Sequence, residues 1–176
     1  MRRIASHYTY SSPYDIKRTH VLEIDEDGFL AAMFDLSVMQ VESANTLFCD
    51  GIISSTIVSL KQHCSQAAIN QLQTDYNYID LTDHSSFTNF YDKGKKLLLD
   101  FGTNDPLLAT DYLVKNSNIL KNFHFWDVIA GSVYYPSMIL NKSSQIEIGS
   151  HLSLIVWRNI DFTNSVITST SSINFI

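Results

Sequence analysis

Polar and apolar residues mix over residues 3–10, a stretch rich in strand formers that Ser11, Ser12 and Pro13 then interrupt. Residues 20–24 and 29–34 form two apolar runs separated by Asp25, Glu26, Asp27 and Gly28. Asp and Gly tolerate the positive φ of a tight turn, so this spacing predicts a hairpin. Residues 46–49 read as a further short strand ended by Asp50 and Gly51. Residues 52–60 alternate apolar residues with Ser and Thr, as an extended segment does.

The centre of the chain changes period. Residues 65–72 have helical composition. Residues 75–91 are polar with scattered aromatics and read as a loop with a short helix. Leu97, Leu98, Leu99, Asp100 and Phe101 predict a short, fully apolar strand closed by Gly102. Asp105 and Pro106 open a helix, because proline fits the first turn, and Leu107, Leu108, Tyr112, Leu113, Ile119 and Leu120 follow at helical spacing. Residues 125–134 predict another helix, stopped by Pro136. The chain returns to strands at residues 152–157 and 166–168.

Strands at both ends with helices between them predict an α+β fold in which the termini share one sheet system. Residues 1–176 read as one domain, with 1–53 and 141–176 as its β portion and 54–140 as a mainly helical centre. No repeat or low-complexity linker divides it.

Composition narrows the function. Of 176 residues, 45% are hydrophobic and 17% charged, enough apolar material for a sizeable core. The net charge of −6 and the scattered basic residues disfavour nucleic acid as a partner. Two cysteines, Cys49 and Cys64, are too few for a disulfide framework. No signal-peptide pattern and no stretch long enough to span a bilayer stand out, so the expectation is a cytoplasmic protein with reduced thiols and no membrane partner.

Three segments resemble the amidohydrolase superfamily, especially its cytosine-deaminase-like and chlorohydrolase-like branch. The first runs from Val21 to His63. In that family, strands and an acidic turn lead to an apolar stretch and a His-x-His metal motif, and its two histidines fall on Lys61 and His63 here. The second is 97–110, similar to the last barrel strand with its Gly-Thr-Asp end; here it reads Gly102, Thr103, Asn104, followed by Asp105. The third is 125–160. Its Pro136, Gly149 and Leu154-Ile155-Val156-Trp157 are similar to the family's closing helix, glycine-bearing turn and strand, with Leu152-Ser153 in place of Ala-Asp.

The resemblance implies a β-sandwich, the family's composite domain, built from both termini around a short remnant of a (β/α)8 barrel. It also implies that the metal chemistry is gone. Lys61 brings a cation to a ligand position, and Asn104 can neither neutralise an ion nor take a proton from bound water. Only 33 residues lie between His63 and Leu97, whereas six barrel units need about 180.

No metal, cofactor or catalytic residue is therefore expected. Lys61, His63, Asn104 and Asp105 are candidates for ligand binding. His84 and His124 read as a loop and a packed histidine. Cys64 beside His63 lacks the sequence separation usual in catalytic thiol–imidazole pairs. Asp80, Asp83, Asp92 and Glu147 show no paired acid–base spacing.

The leading expectation is a non-catalytic, amidohydrolase-like structural or interaction protein, a homo-oligomer or the partner of an amidohydrolase paralogue. The alternatives are a small-molecule binding module in a residual pocket, a metal-dependent hydrolase or deaminase with an atypical site, and an enzyme of altered chemistry with Lys61 or Asp105 as its proton-transfer group.

Overall fold

A computed structural model of the chain describes residues 1–38, 45–83, 92 and 94–176. The fold is mixed α+β, dominated by a seven-stranded sheet. Its strands are β1 (Arg2–Ser12), β2 (Asp15–Arg18), β3 (His20–Ile24), β4 (Leu30–Asp35), β5 (Thr46–Ser55), β8 (Leu154–Arg158) and β9 (Ser172–Phe175). They lie in the order β4-β3-β1-β5-β8-β9, with β2 also paired to β1. Both ends of the chain enter this sheet, as the sequence predicts. The pair β1–β5 is parallel and the other pairs are antiparallel.

The 25–28 hairpin forms for the reason its residues suggest. The Asp25 carboxylate accepts from the backbone N–H of Asp27 and Phe29, and Gly28 adopts φ +87°. β5 is longer than predicted, because Gly51 does not end the strand. The register against β1 slips there, placing a bulge in the strand instead of a stop. Gly51 has φ +132°, and a Cβ on it would lie 2.0 Å from the carbonyl oxygen of Trp157 on the neighbouring β8.

After β5 come α1 (Gln66–Leu72), β6 (Tyr76–Asp80) and β7 (Lys96–Asp100). β6 and β7 pair in parallel, from Tyr76 with Lys96 to Asp80 with Asp100. The composition of residues 75–91 predicts a loop with a short helix. Residues 76–80 are instead a strand, because the buried run Leu97–Leu99 supplies a partner that local composition does not reveal. Residues 84–91, with His84, Phe87, Phe90 and Tyr91, lie outside the described residues. The centre is thus less purely helical than expected.

The helices α2 (Pro106–Lys115), α3 (Ser117–Leu120), α4 (Phe125–Ile129) and α5 (Tyr135–Ile139) follow. α2 begins where predicted, with Asp105 as N-cap and Pro106 in the first turn. Thr110 ties α2 to β9: its hydroxyl accepts from Ile173 N–H at 2.8 Å and lies 3.0 Å from Ile173 O. Pro136 does not stop the helix begun at Phe125. A π turn over Ala130–Tyr134 leads into α5, and Ser132 O, which residue 136 would bond in an α-helix, accepts from Val58 N–H at 3.1 Å. The absent proline N–H thus leaves a carbonyl to anchor the chain leaving β5. The last strand is β9, whereas Val166 makes only an isolated bridge to Asp161.

Alternation sorts the side chains into two cores. Ile52, Ile155 and Trp157 join Leu97–Leu99 and the helices in the larger one. Ile53, Leu154 and Val156 face the other way and meet Ile4, Leu22, Ile24, Leu30 and Ile146 in the smaller one. Residues 149–152 bond across to Gly28 and Leu30 and so fold the sheet around this smaller core. Among the described residues, no helix is long and apolar enough to cross a membrane.

Candidate functional site

The parallel strands β6 and β7 end side by side at Asp80 and Asp100. In open α/β sheets, the carboxyl ends of parallel strands are where ligands gather. Here residues 59–62 cross that end and fill it. Asp100 is fully buried. One carboxylate oxygen accepts from the Ser59 hydroxyl at 2.7 Å and from Gly102 N–H at 2.8 Å. The other accepts from Lys61 N–H at 2.8 Å and from the Tyr78 hydroxyl at 3.2 Å. Four donors on two oxygens satisfy a carboxylate that the core shuts off from water.

Lys61 closes the crossing from outside. Its ammonium donates to Asp80 at 2.8 Å and to the Thr82 hydroxyl at 3.0 Å. Asp80 in turn accepts from Thr82 N–H at 2.9 Å. The hydrogen bond to Asp80 raises the pKa of Lys61. A lysine acting as a base needs a depressed pKa, so this shift runs away from proton transfer at neutral pH. Burial, followed by the charge of Asp100, pushes the Tyr78 hydroxyl up as well.

The sequence-predicted residues divide. Lys61 belongs to this cluster. Asn104 borders it: its amide oxygen accepts from Ser59 N–H at 2.7 Å and its nitrogen donates to Gln62 at 2.7 Å. His63 is engaged elsewhere, with its Nε2 3.2 Å from the ammonium of Lys142. Asp105 serves as a helix cap, accepting from Leu107 N–H at 2.9 Å. His124 caps α4, its ring nitrogen accepting from Trp126 N–H at 3.3 Å. Nothing in the sequence pattern marks Asp100, Ser59 or Tyr78 as site residues, and Asp80 has no paired acid–base spacing there. The one local signal was an acid at the end of an unbroken apolar run, Leu97–Leu99.

These donors do not suit a divalent ion. An ammonium stands at one place the resemblance assigns to a ligand. The amide at a second is spent on Ser59 and Gln62, and the one histidine is paired with a lysine. Among the described residues, no three His, Cys, Asp or Glu side chains group as metal ligands.

A hollow of about 170 Å³ opens beside Asn104, between the chain leaving β5 and the end of α5. Residues 55–58, Asn104, Ser137, Lys142 and Ser143 line it. Of the four predicted ligand-binding residues, Asn104 alone lines it.

Compared with known proteins, the chain matches no family model and no curated sequence.

Proposed function

We propose that this chain is a non-catalytic, amidohydrolase-like protein whose former metal position has become a structural clasp. The observation that carries the reading is the Lys61 ammonium bonded to Asp80 and Thr82 where the resemblance places the first metal-binding histidine. The crossing of residues 59–62 against 100–104 supports it, since the resemblance assigns these segments to the first and last barrel strands. The smaller core, enclosed by strands from both termini, suits the composite-domain sandwich of that family.

The role that follows is interaction. α2 leaves Leu107 64% and Leu108 52% exposed, with Val114 one to two turns on. Missing barrel neighbours would once have covered such a face, and a second copy or a full-length paralogue would cover it now. Light scattering over a concentration series tests the pairing, and a monomer at every concentration rejects the self-pairing form. Metal content of the untagged protein, measured by plasma mass spectrometry after incubation with zinc, iron and manganese, tests the clasp. The expected result is no stoichiometric ion, and one ion per chain overturns the reading.

A second reading, a small-molecule binding module, is favoured by the hollow beside Asn104.

A further inference from the structure

The bulge between β1 and β5 opens a second hollow, of about 290 Å³, that shares no residue with the clasp or with the hollow beside Asn104. There Asp50 and Gly51 stand opposite His7 alone, since Ser6 pairs with Cys49 and Tyr8 with Ile52. A bulge re-aims a side chain out of the regular ladder. The His7 ring packs 5.1 Å from that of Phe48 and 6.3 Å from that of Phe162, and its Nδ1 lies 3.2 Å from the Asp50 carboxylate. His7, Tyr8, Asp50, Asn159 and Phe162 line the hollow, and none of these five is buried. Gly51 and Ile160 also line it but are buried, and they contribute shape only.

Three of the five keep an unpartnered acceptor. A carboxylate only accepts, so the contact with Asp50 needs Nδ1–H on His7, and a neutral ring then leaves Nε2 bare. The Gly51 N–H competes for the same atom from farther away, at 3.4 Å. Among the described residues, no lysine or arginine pairs with Asp50. Asn159 Nδ2 donates to Thr170 O at 3.0 Å, which leaves Oδ1 without a partner.

The rest of the wall is aromatic. Phe162 stacks on Tyr8 at 5.5 Å and 28°, packs at a steep angle on Phe125, and is still 38% exposed. Ring faces carry negative quadrupole charge and attract cations. The guanidinium of Arg18 lies 5.4 Å over the Tyr8 ring and donates to its hydroxyl, so this cluster already holds one cation of its own. Arg18 does not line the hollow, and Phe162 is the ring left to a guest.

We propose that this hollow binds a small organic ammonium, with Asp50 as counter-charge, Asn159 and His7 as acceptors, and Phe162 against the alkyl groups around the nitrogen. A carboxylate, neutral acceptors and an exposed ring favour such a guest over an anion. A volume of about 290 Å³ exceeds a water's share of liquid, about 30 Å³, several-fold, and so admits a molecule of several heavy atoms. The chain's net charge of −6 draws cations to its surface.

The test is a titration of the full chain with choline and with the neutral alcohol in which carbon replaces the choline nitrogen, at matched ionic strength, followed by amide chemical shifts. Saturable shifts at Asp50, Gly51, Asn159 and Phe162 are expected with choline, which should bind about tenfold or more tightly than the alcohol. Asp50→Asn and Phe162→Leu change exposed side chains, and each should weaken choline binding by about two- to fivefold. Absence of saturable shifts, an alcohol that binds as tightly as choline, or unchanged affinity in Asp50→Asn would each overturn the proposal. A protein that binds choline and also holds one metal ion per chain would keep this site and lose the non-catalytic reading.

Discussion

The hydroxyl of Ser59 donates to the carboxylate of Asp100 at 2.7 Å, joining positions 41 residues apart inside the core. With Lys61 N–H on the other oxygen, this contact holds the crossing segment on the end of β7. Asp100→Ala would leave the Ser59, Lys61, Gly102 and Tyr78 donors without their acceptor. The expected loss is about 3–5 kcal/mol in urea unfolding. Tyr78→Phe removes one long bond and should cost about 1 kcal/mol. Equal losses from the two changes would show that Asp100 is not the hub described here.

Alkaline pH should loosen the same region. Lys61 is raised above its ordinary 10.5 by the bond to Asp80, and Tyr78 above its ordinary 10.0 by burial. In both cases the folded state keeps a proton that the unfolded chain releases. The stabilisation is complete below about pH 10 and is lost as pH climbs through the raised values. Thermal melts should therefore be flat near neutrality, as far as these two groups are concerned, and fall above pH 10. Tyr78→Phe should shallow that fall. Buried Tyr10 shifts upward too and accounts for part of what remains. An unchanged slope in Tyr78→Phe would remove Tyr78 from the account.

Gly51 makes a sharper geometric claim. A Cβ there meets the Trp157 carbonyl at 2.0 Å, and β5 is held by β1 on one side and β8 on the other. Gly51→Ala should cost about 3 kcal/mol or more, with clash added to the strain of positive φ. Gly149→Ala is the matched control. Its φ is +88° but no atom lies within 4 Å of the added Cβ, so strain alone, about 1 kcal/mol, is expected. Similar unfolding midpoints for the two variants would mean that the backbones of β5 and β8 do not approach as described.

What the sequence revealed was local. The hairpin at 25–28 and the cap at Asp105 follow from residues that bond their own neighbours, so their patterns are complete within a few positions. β6 was missed because Tyr76–Asp80 becomes a strand only beside β7. Gly51 was misread as a stop because a glycine after an aspartate looks alike at a turn and at a bulge. Its meaning depends on Trp157, more than a hundred residues on. In the site, Lys61 and Asn104 were picked out through resemblance. Asp100 stayed hidden because the partners that make its burial possible, Ser59 and Tyr78, are 41 and 22 residues away.

The non-catalytic reading makes a demand on reversal. If Lys61 and Asn104 were the only obstacles to a metal, Lys61→His with Asn104→Asp would restore a site. The structure predicts otherwise. His63 sits 3.2 Å from the ammonium of Lys142. Asp100 is already saturated by four donors, and freeing it would dismantle the crossing. In the double variant Asp80 also loses its ammonium, and Ser59 N–H faces a carboxylate where it had faced an amide oxygen. The expected outcome is a folded, somewhat destabilised protein without stoichiometric zinc by plasma mass spectrometry. Zinc at one ion per chain, with a raised melting temperature on its addition, would mean that the metal geometry survives beneath two substitutions and that the clasp is a recent cover rather than a rebuilt core.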